Sequence, residues 1–323
     1  MNGEIKYMNY TSFLYALLLV SLLFSCSEPI DQEGFVQVEG GKIWYKIEGG
    51  GDKTPLLIMH GGPGSRSCAM MPGYKLLSNE RPVIFYDQLG SGNSDRPSDT
   101  SLWRIERFVD EIDLLRKALH LDKVHILGQS CGSTFLMEYL ATKSPNGVQS
   151  VIFSSPMLST EKWISDAKYL LGEMPENLQD TIAKYEQLME YDAPSYLAAT
   201  DSFYVRHLTR KGLPYGLNKE CNNVGGFNVE VYNHMWGPTE FTATGTLINF
   251  DRTADLKNIE APVLFITGEY DEARPETIYE FQAMTRNSEV AVVPDAAHMT
   301  MIDNPDYVKK VIGEFLSLVE SQR

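Results

Sequence analysis

The sequence predicts an α/β protein: a mostly parallel sheet covered by helices on both faces, with a helical cap inserted in its second half. Three observations predict it. Short apolar runs recur at residues 56–59, 83–86, 124–127 and 151–153, with helix-like stretches between them. Near-continuous apolar strands alternating with amphipathic helices belong to sheets buried on both faces. The rhythm stops near Leu158 and resumes at Val263, which marks an insertion. The third observation is Gly128-Gln129-Ser130-Cys131-Gly132, a glycine-framed serine between a strand and a helix.

The elements follow in order along the 323 residues, a length that suits one domain with an inserted subdomain. Residues 1–25 read as a signal peptide. Lys6 precedes an apolar run at 13–24, about the length of a signal core and short for a bilayer span. Met8 would serve equally as the start. The run ends in Leu23-Phe24-Ser25-Cys26, which resembles a bacterial lipoprotein signal, although Phe24 is bulkier than the usual occupant. That resemblance implies lipidation of Cys26 and an exported, membrane-anchored envelope protein. A plain cleaved signal stays open. Residues 26–34 then read as a linker, with Asp31-Gln32-Glu33-Gly34 its polar end.

Alternating apolar residues at 35–39 and 42–47 flank Gly40-Gly41 and predict a hairpin. Leu114, Leu115, Ala118 and Leu119 keep helical spacing within 108–120. Residues 158–237 form the expected cap, helical and aromatic-rich, with helices near 180–191 and 193–208 and glycine- and asparagine-containing loops over 212–226. The catalytic domain would comprise 35–157 and 238–323. Its second part carries strands at 263–267 and 289–293 and helices at 276–284 and 307–319.

Composition excludes several classes. The formal net charge of −15 disfavours nucleic acid and anionic membrane surfaces, and it suits a soluble envelope protein or a cationic substrate. Beyond Cys26, the cysteines are Cys68, Cys131 and Cys221, too few and too scattered for a disulfide framework or a zinc site. A Cys68–Cys221 bridge is left open. No metal or cofactor is expected.

The chemistry starts at Ser130. In a strand–turn–helix setting, Gly-x-Ser-x-Gly is a nucleophile elbow, with the serine on a tight turn and its hydroxyl above the sheet. His60-Gly61-Gly62-Pro63-Gly64 ends an earlier strand and resembles the glycine loops that supply an oxyanion amide. Gly62 would donate one amide and Cys131 the other. The acid of this fold follows the serine, at a later strand end and before the histidine. Asp271 holds that position; Asp251, Asp255 and Asp295 lie in poorer ones. His298 follows the strand at 290–293, where the base belongs. Together these features predict the α/β-hydrolase fold and a triad of Ser130, Asp271 and His298. His125 lies within a strand and reads as structural.

Several longer stretches carry a family resemblance. They include residues 60–64, Phe85-Tyr86-Asp87-Gln88-Leu89-Gly90-Ser91-Gly92-Asn93-Ser94, the serine elbow and Asn233-His234-Met235-Trp236-Gly237-Pro238-Thr239-Glu240-Phe241. Thr244-Gly245-Thr246, residues 268–272 and His298-Met299-Thr300-Met301 extend the match. From about Gly34 onward the chain resembles the proline iminopeptidases and their relatives, including the aminopeptidases that cooperate with tricorn protease. The resemblance implies release of one N-terminal residue, often proline, from short peptides with a free N-terminus. It also implies that Glu240 and Glu272 grip the substrate ammonium. Cys131 stands where many relatives carry an aromatic residue, which alters the pocket and leaves the amide in place. An amino-acid amidase or general esterase on the same triad is the alternative, and a binding lipoprotein on an inactive scaffold is a more distant one.

Overall fold

The computed structural model describes residues 32–211, 221 and 224–322. The expected signal peptide, the lipidation site Cys26 and most of the loop over 212–223 therefore lie outside the described residues.

Among the described residues, eight strands, β1 (Gln32–Val38), β2 (Gly41–Glu48), β3 (Leu56–Met59), β4 (Val83–Tyr86), β5 (Val124–Gln129), β6 (Val148–Ser154), β7 (Val263–Gly268) and β8 (Ser288–Val293), form one sheet in the order β1-β2-β4-β3-β5-β6-β7-β8. The hairpin at its edge joins β1 to β2 in antiparallel register. Here the structure corrects the expected linker: Gln32, Glu33 and Gly34 already pair with Ile47, Lys46 and Tyr45. Polar composition was misleading because an edge strand need bury only alternate side chains, here Val36 and Val38. After the antiparallel β2–β4 pair, every neighbouring pair is parallel.

Alternate residues of each central strand feed opposite faces. Leu57, Met59, Ile126, Phe153 and Phe265 pack on one side with α1 (Ile105–Ala118) and α2 (Cys131–Lys143). Leu56, Ile58, Leu127, Ile152 and Leu264 pack on the other, against Val308, Ile312, Phe315 and Leu316 of the C-terminal helix. Each fully buried aliphatic or aromatic side chain contributes about 1.5–3 kcal/mol by leaving water. The sheet is thus a rigid platform whose strand C-termini share one edge, the place where open parallel sheets of this kind hold ligands.

Between β6 and β7 the chain leaves the sheet and forms α3 (Thr160–Gly172), α4 (Glu176–Leu188), α5 (Pro194–His207) and α6 (Val229–Met235). The excursion closes where Ser159 bridges to Asp251. It carries a small core of its own around Met174, Ile182, Tyr196 and Phe203. The Glu186 carboxylate ties it further, accepting from Tyr196 Oη at 2.5 Å, from Thr239 Oγ1 at 2.8 Å and from Thr242 Oγ1. After β7 come α7 (Pro275–Met284) and, after β8, α8 (Pro305–Ser321).

Cys68 and Cys221, the pair left open by the sequence, form a disulfide across 153 residues. It fastens the loop between α5 and α6 to the segment that follows the glycine loop. A cross-link over so long a loop stabilises chiefly by restricting the unfolded chain. Cys221→Ser is expected to cost about 2–5 kcal/mol and lower the melting temperature by about 5–15 °C. Thermal melts of variant and parent by far-ultraviolet circular dichroism check this; coincident melts would mean that the bridge contributes nothing.

Candidate active site

Ser130 sits between β5 and α2 with φ 54° and ψ −128°, a conformation that side-chain-bearing residues rarely adopt. The turn holds because its neighbours are glycine. A Cβ on Gly132 would lie 2.6 Å from the Met59 carbonyl oxygen, and one on Gly128 would lie 2.7 Å from the Gly132 oxygen. Ser133 Oγ donates to the Gly128 carbonyl at 2.6 Å and fastens the far side. The hydroxyl of Ser130 faces a cavity of about 280 Å³, the lower end of the size range for small-ligand sites.

The glycine loop lies directly against this serine: a Cβ on Gly61 would stand 2.7 Å from Ser130 Cβ. His60 orients the loop. Its Nδ1–H donates to the Gly61 carbonyl at 2.8 Å and its Nε2 accepts from the Gln88 amide at 3.1 Å. Burial lowers the His60 pKa against the opposing pull of Asp87, so the ring stays neutral. The Gly62 and Cys131 amides have no hydrogen-bond partner among the described residues. Cys131 opens α2, where amides are unpaired by construction. Burial pushes its thiol up to about 12, so it offers no competing thiolate.

The structure brings His298 and Asp271 together. His298 Nδ1 lies 2.9 Å from Asp271 Oδ1, which leaves Nε2 to serve the cavity. No hydrogen bond joins Ser130 Oγ to His298 among the described residues, an open geometry that substrate commonly tightens. Asp271 is fixed by groups that sequence reasoning missed. Its Oδ1 also accepts from the Ala273 amide at 2.8 Å. Its Oδ2 accepts from Ser155 Oγ at 2.6 Å, from Thr267 Oγ1 at 3.1 Å and from the Gly268 amide at 3.1 Å. The one available signal was position: Ser155 directly follows β6, the strand beside the one that carries the acid. Asp303 also escaped notice. It accepts from the Ala297 amide at 2.9 Å and from Thr209 and the Arg210 amide, joining the histidine loop to the end of α5. His125, read as structural, is buried and bonds to Ser150 at 2.7 Å.

Glu240 and Glu272 line the same cavity as Ser130 and His298. Glu240 accepts from Tyr232 Oη. Glu272 Oε1 lies 3.7 Å from His298 Nδ1, and its Oε2 is buried with no hydrogen-bond partner among the described residues. Burial pushes the Glu272 carboxyl well above its ordinary range; the His298 charge opposes this, and Glu240 and Asp271 reinforce it. Burial raises Glu240 as well, against hydrogen bonds from Tyr232 and Trp163. For His298, burial works against the imidazolium, but Asp271, Glu272 and Glu240 together raise it to about 9. The arrangement can therefore activate a hydroxyl, stabilise an oxyanion and receive a cation.

A family model described as the alpha/beta hydrolase fold matches residues 54–305. A curated proline iminopeptidase of Heyndrickxia coagulans is 45% identical over 291 residues, 89% of this chain and 99% of that protein. The crystal structure of VinJ superposes with a TM-score of 0.82 at 27% identity, over 90% of this chain and 100% of that one. That of a Mycobacterium smegmatis proline iminopeptidase gives 0.80 at 29% identity, over 90% and 99%.

Two expectations follow from the geometry. Ser155→Ala removes a short bond to the acid and should lower kcat on an activated ester about tenfold with little change in KM, the scale of a weakened charge-assisted bond. An unchanged kcat would mean that Ser155 does not position Asp271. The second concerns pH. A base must be neutral, so kcat/KM on an amine-free ester should rise with pH toward about 9. Glu272→Gln removes one raising charge and should move that limb to lower pH; a limb that stays in place would show that Glu272 does not act on the base.

Proposed function

The chain belongs to the proline iminopeptidase family of α/β hydrolases, and from that premise we propose that it is a serine exopeptidase releasing the N-terminal residue, proline among them, from short peptides. Ser130 Oγ attacks the first peptide carbonyl while His298 Nε2 takes its proton. Asp271 holds the imidazole through Nδ1 and stabilises its charged form. The Gly62 and Cys131 amides receive the oxyanion of the tetrahedral intermediate. His298 then gives the proton to the leaving amine, and an acyl-enzyme on Ser130 remains. Water, activated by the same histidine, frees the amino acid.

One observation carries the exopeptidase reading: the unpartnered Glu272 Oε2, buried beside the triad with Glu240 in the same cavity. A buried carboxylate without a partner is costly, so its retention points to a cation supplied by the ligand. A substrate ammonium provides it. The ammonium also replaces the imidazolium as counter-ion to the two glutamates. That lets His298 shed its proton and act as a base at neutral pH. A blocked amine leaves both carboxylates unanswered and is rejected.

The protein is further proposed to work in the cell envelope, exported and held by a lipid on Cys26. The apolar run at 13–24 ending in Leu23-Phe24-Ser25-Cys26 supports this reading. The Cys68–Cys221 pairing suits an oxidising compartment. Among the described residues, no helix is long and apolar enough to cross a membrane.

Hydrolysis of aminoacyl anilides, with prolyl anilide and its N-acetyl form side by side, tests the activity. The free amine should be cleaved and the blocked form left intact. Glu240→Gln should lower kcat/KM on prolyl anilide by about 10- to 100-fold, the loss of one charge-assisted bond. An activated ester should suffer far less. Equal turnover of free and blocked substrates would instead indicate a general esterase.

A further inference from the structure

The cavity has a cation as well as carboxylates. Arg66 is the one lysine or arginine among its lining residues. It lies four residues beyond Gly62 on the segment that continues the glycine loop, near Ala69 and Met70 of the wall. Its Nη1 donates to the Gly225 carbonyl at 3.0 Å. That is its one hydrogen bond among the described residues, and no carboxylate there lies within ion-pair distance. Neither Glu240 nor Glu272 pairs with it, so the cavity keeps charges of opposite sign apart.

We infer that Arg66 receives the C-terminal carboxylate of the substrate, so that the enzyme favours dipeptides and tripeptides with both ends free. This rests on the exopeptidase reading above. If the two glutamates hold the ammonium, the reacting carbonyl is one residue away, and the leaving amine carries the rest of the peptide in the opposite direction. An extended dipeptide spans about 7 Å and a tripeptide about 10 Å. A cavity of about 280 Å³ is of the size that takes in a ligand this short. At its other end a peptide that short presents a carboxylate, the planar anion that a guanidinium fork matches with two parallel bonds. Tethering of Nη1 by Gly225 restrains the fork and leaves Nε and Nη2 free of any described partner, so less side-chain freedom is lost on binding.

The test compares each peptide with its own C-terminal amide on the full-length protein. Prolyl-glycine, prolyl-glycyl-glycine and their carboxamides are suitable probes, with release of proline as the readout. Parent enzyme should favour the free acid over the amide by about tenfold or more in kcat/KM for one of the two lengths, as expected of a charge-assisted bond. In Arg66→Gln that ratio should collapse toward one. Arg66→Lys, with charge but no fork, should retain part of it. Because each ratio is taken on one enzyme, a partial loss of folded protein cancels. A ratio near one in the parent overturns the inference, as does a ratio that survives in Arg66→Gln; in the latter case Arg66 merely clamps the Gly225 loop. Failure of the underlying reading looks different: proline would be released from none of the probes, or N-acetylated peptides would be cleaved as well as free ones.

Discussion

One imidazole held among three carboxylates is the constraint on which the rest of this structure depends. Asp271, Glu272 and Glu240 all act on the His298 charge, and Asp271 and Glu272 are almost fully buried. Such a cluster is stable only if its negative charge is answered by donors. Asp271 is answered in full, by three backbone or hydroxyl donors on one side and by His298 and the Ala273 amide on the other. Glu240 is answered in part, through Tyr232 and Trp163. Glu272 keeps one oxygen unanswered. The three carboxylates therefore differ in how completely the protein's own donors answer them.

Holding that cluster requires chain segments far apart in sequence. Ser155 comes from the end of β6 and Thr267 from β7, and the two strands are parallel neighbours. The histidine loop is anchored to the cap as well as to the sheet. The His298 and Met299 amides donate to the carbonyls of His207 and Leu208 at 3.1 and 2.8 Å, and Asp303 bonds to both sides of the junction. Cap and base therefore share backbone hydrogen bonds. A displacement of α5 would be felt at the imidazole, which links the shape of the cavity to the alignment of the triad.

Legibility in the sequence followed the range of the interactions. Ser130 was legible because its requirements are local: a strand, two glycines and a helix within a dozen residues. Asp271 and His298 were legible because each follows a strand, and strands declare themselves by composition. The elements were largely readable for the same reason, except where polar residues occupy an edge strand, as at Gln32 and Glu33. Glu240 and Glu272 came only through family resemblance, since nothing local distinguishes a ligand-gripping glutamate from a surface one. Ser155, Thr267, Asp303, Tyr232 and Arg66 were not legible at all. Ser155, Asp303 and Arg66 act on partners about a hundred or more residues away, which only the folded chain brings near, and Thr267 and Tyr232 act on nearer ones through side-chain bonds that no local pattern announces. The Cys68–Cys221 pairing belongs to the same class.

Charge organisation gives the site a direction. The protein as a whole is strongly negative, so its long-range field draws a peptide's ammonium toward the surface and repels its carboxylate. Such a field favours an amine-first approach of a zwitterionic peptide. Inside, Glu272 and Glu240 continue that preference at short range, where screening is weak and burial strengthens each contact. The same field would hinder seating of the trailing carboxylate unless something local reversed it. A single guanidinium with no carboxylate partner among the described residues would do so with little effect on the field outside, because its reach in salt is short. On the proposed reading, the net charge sets orientation, the two glutamates the grip and Arg66 the length. The triad then acts on whatever carbonyl this arrangement places above Ser130.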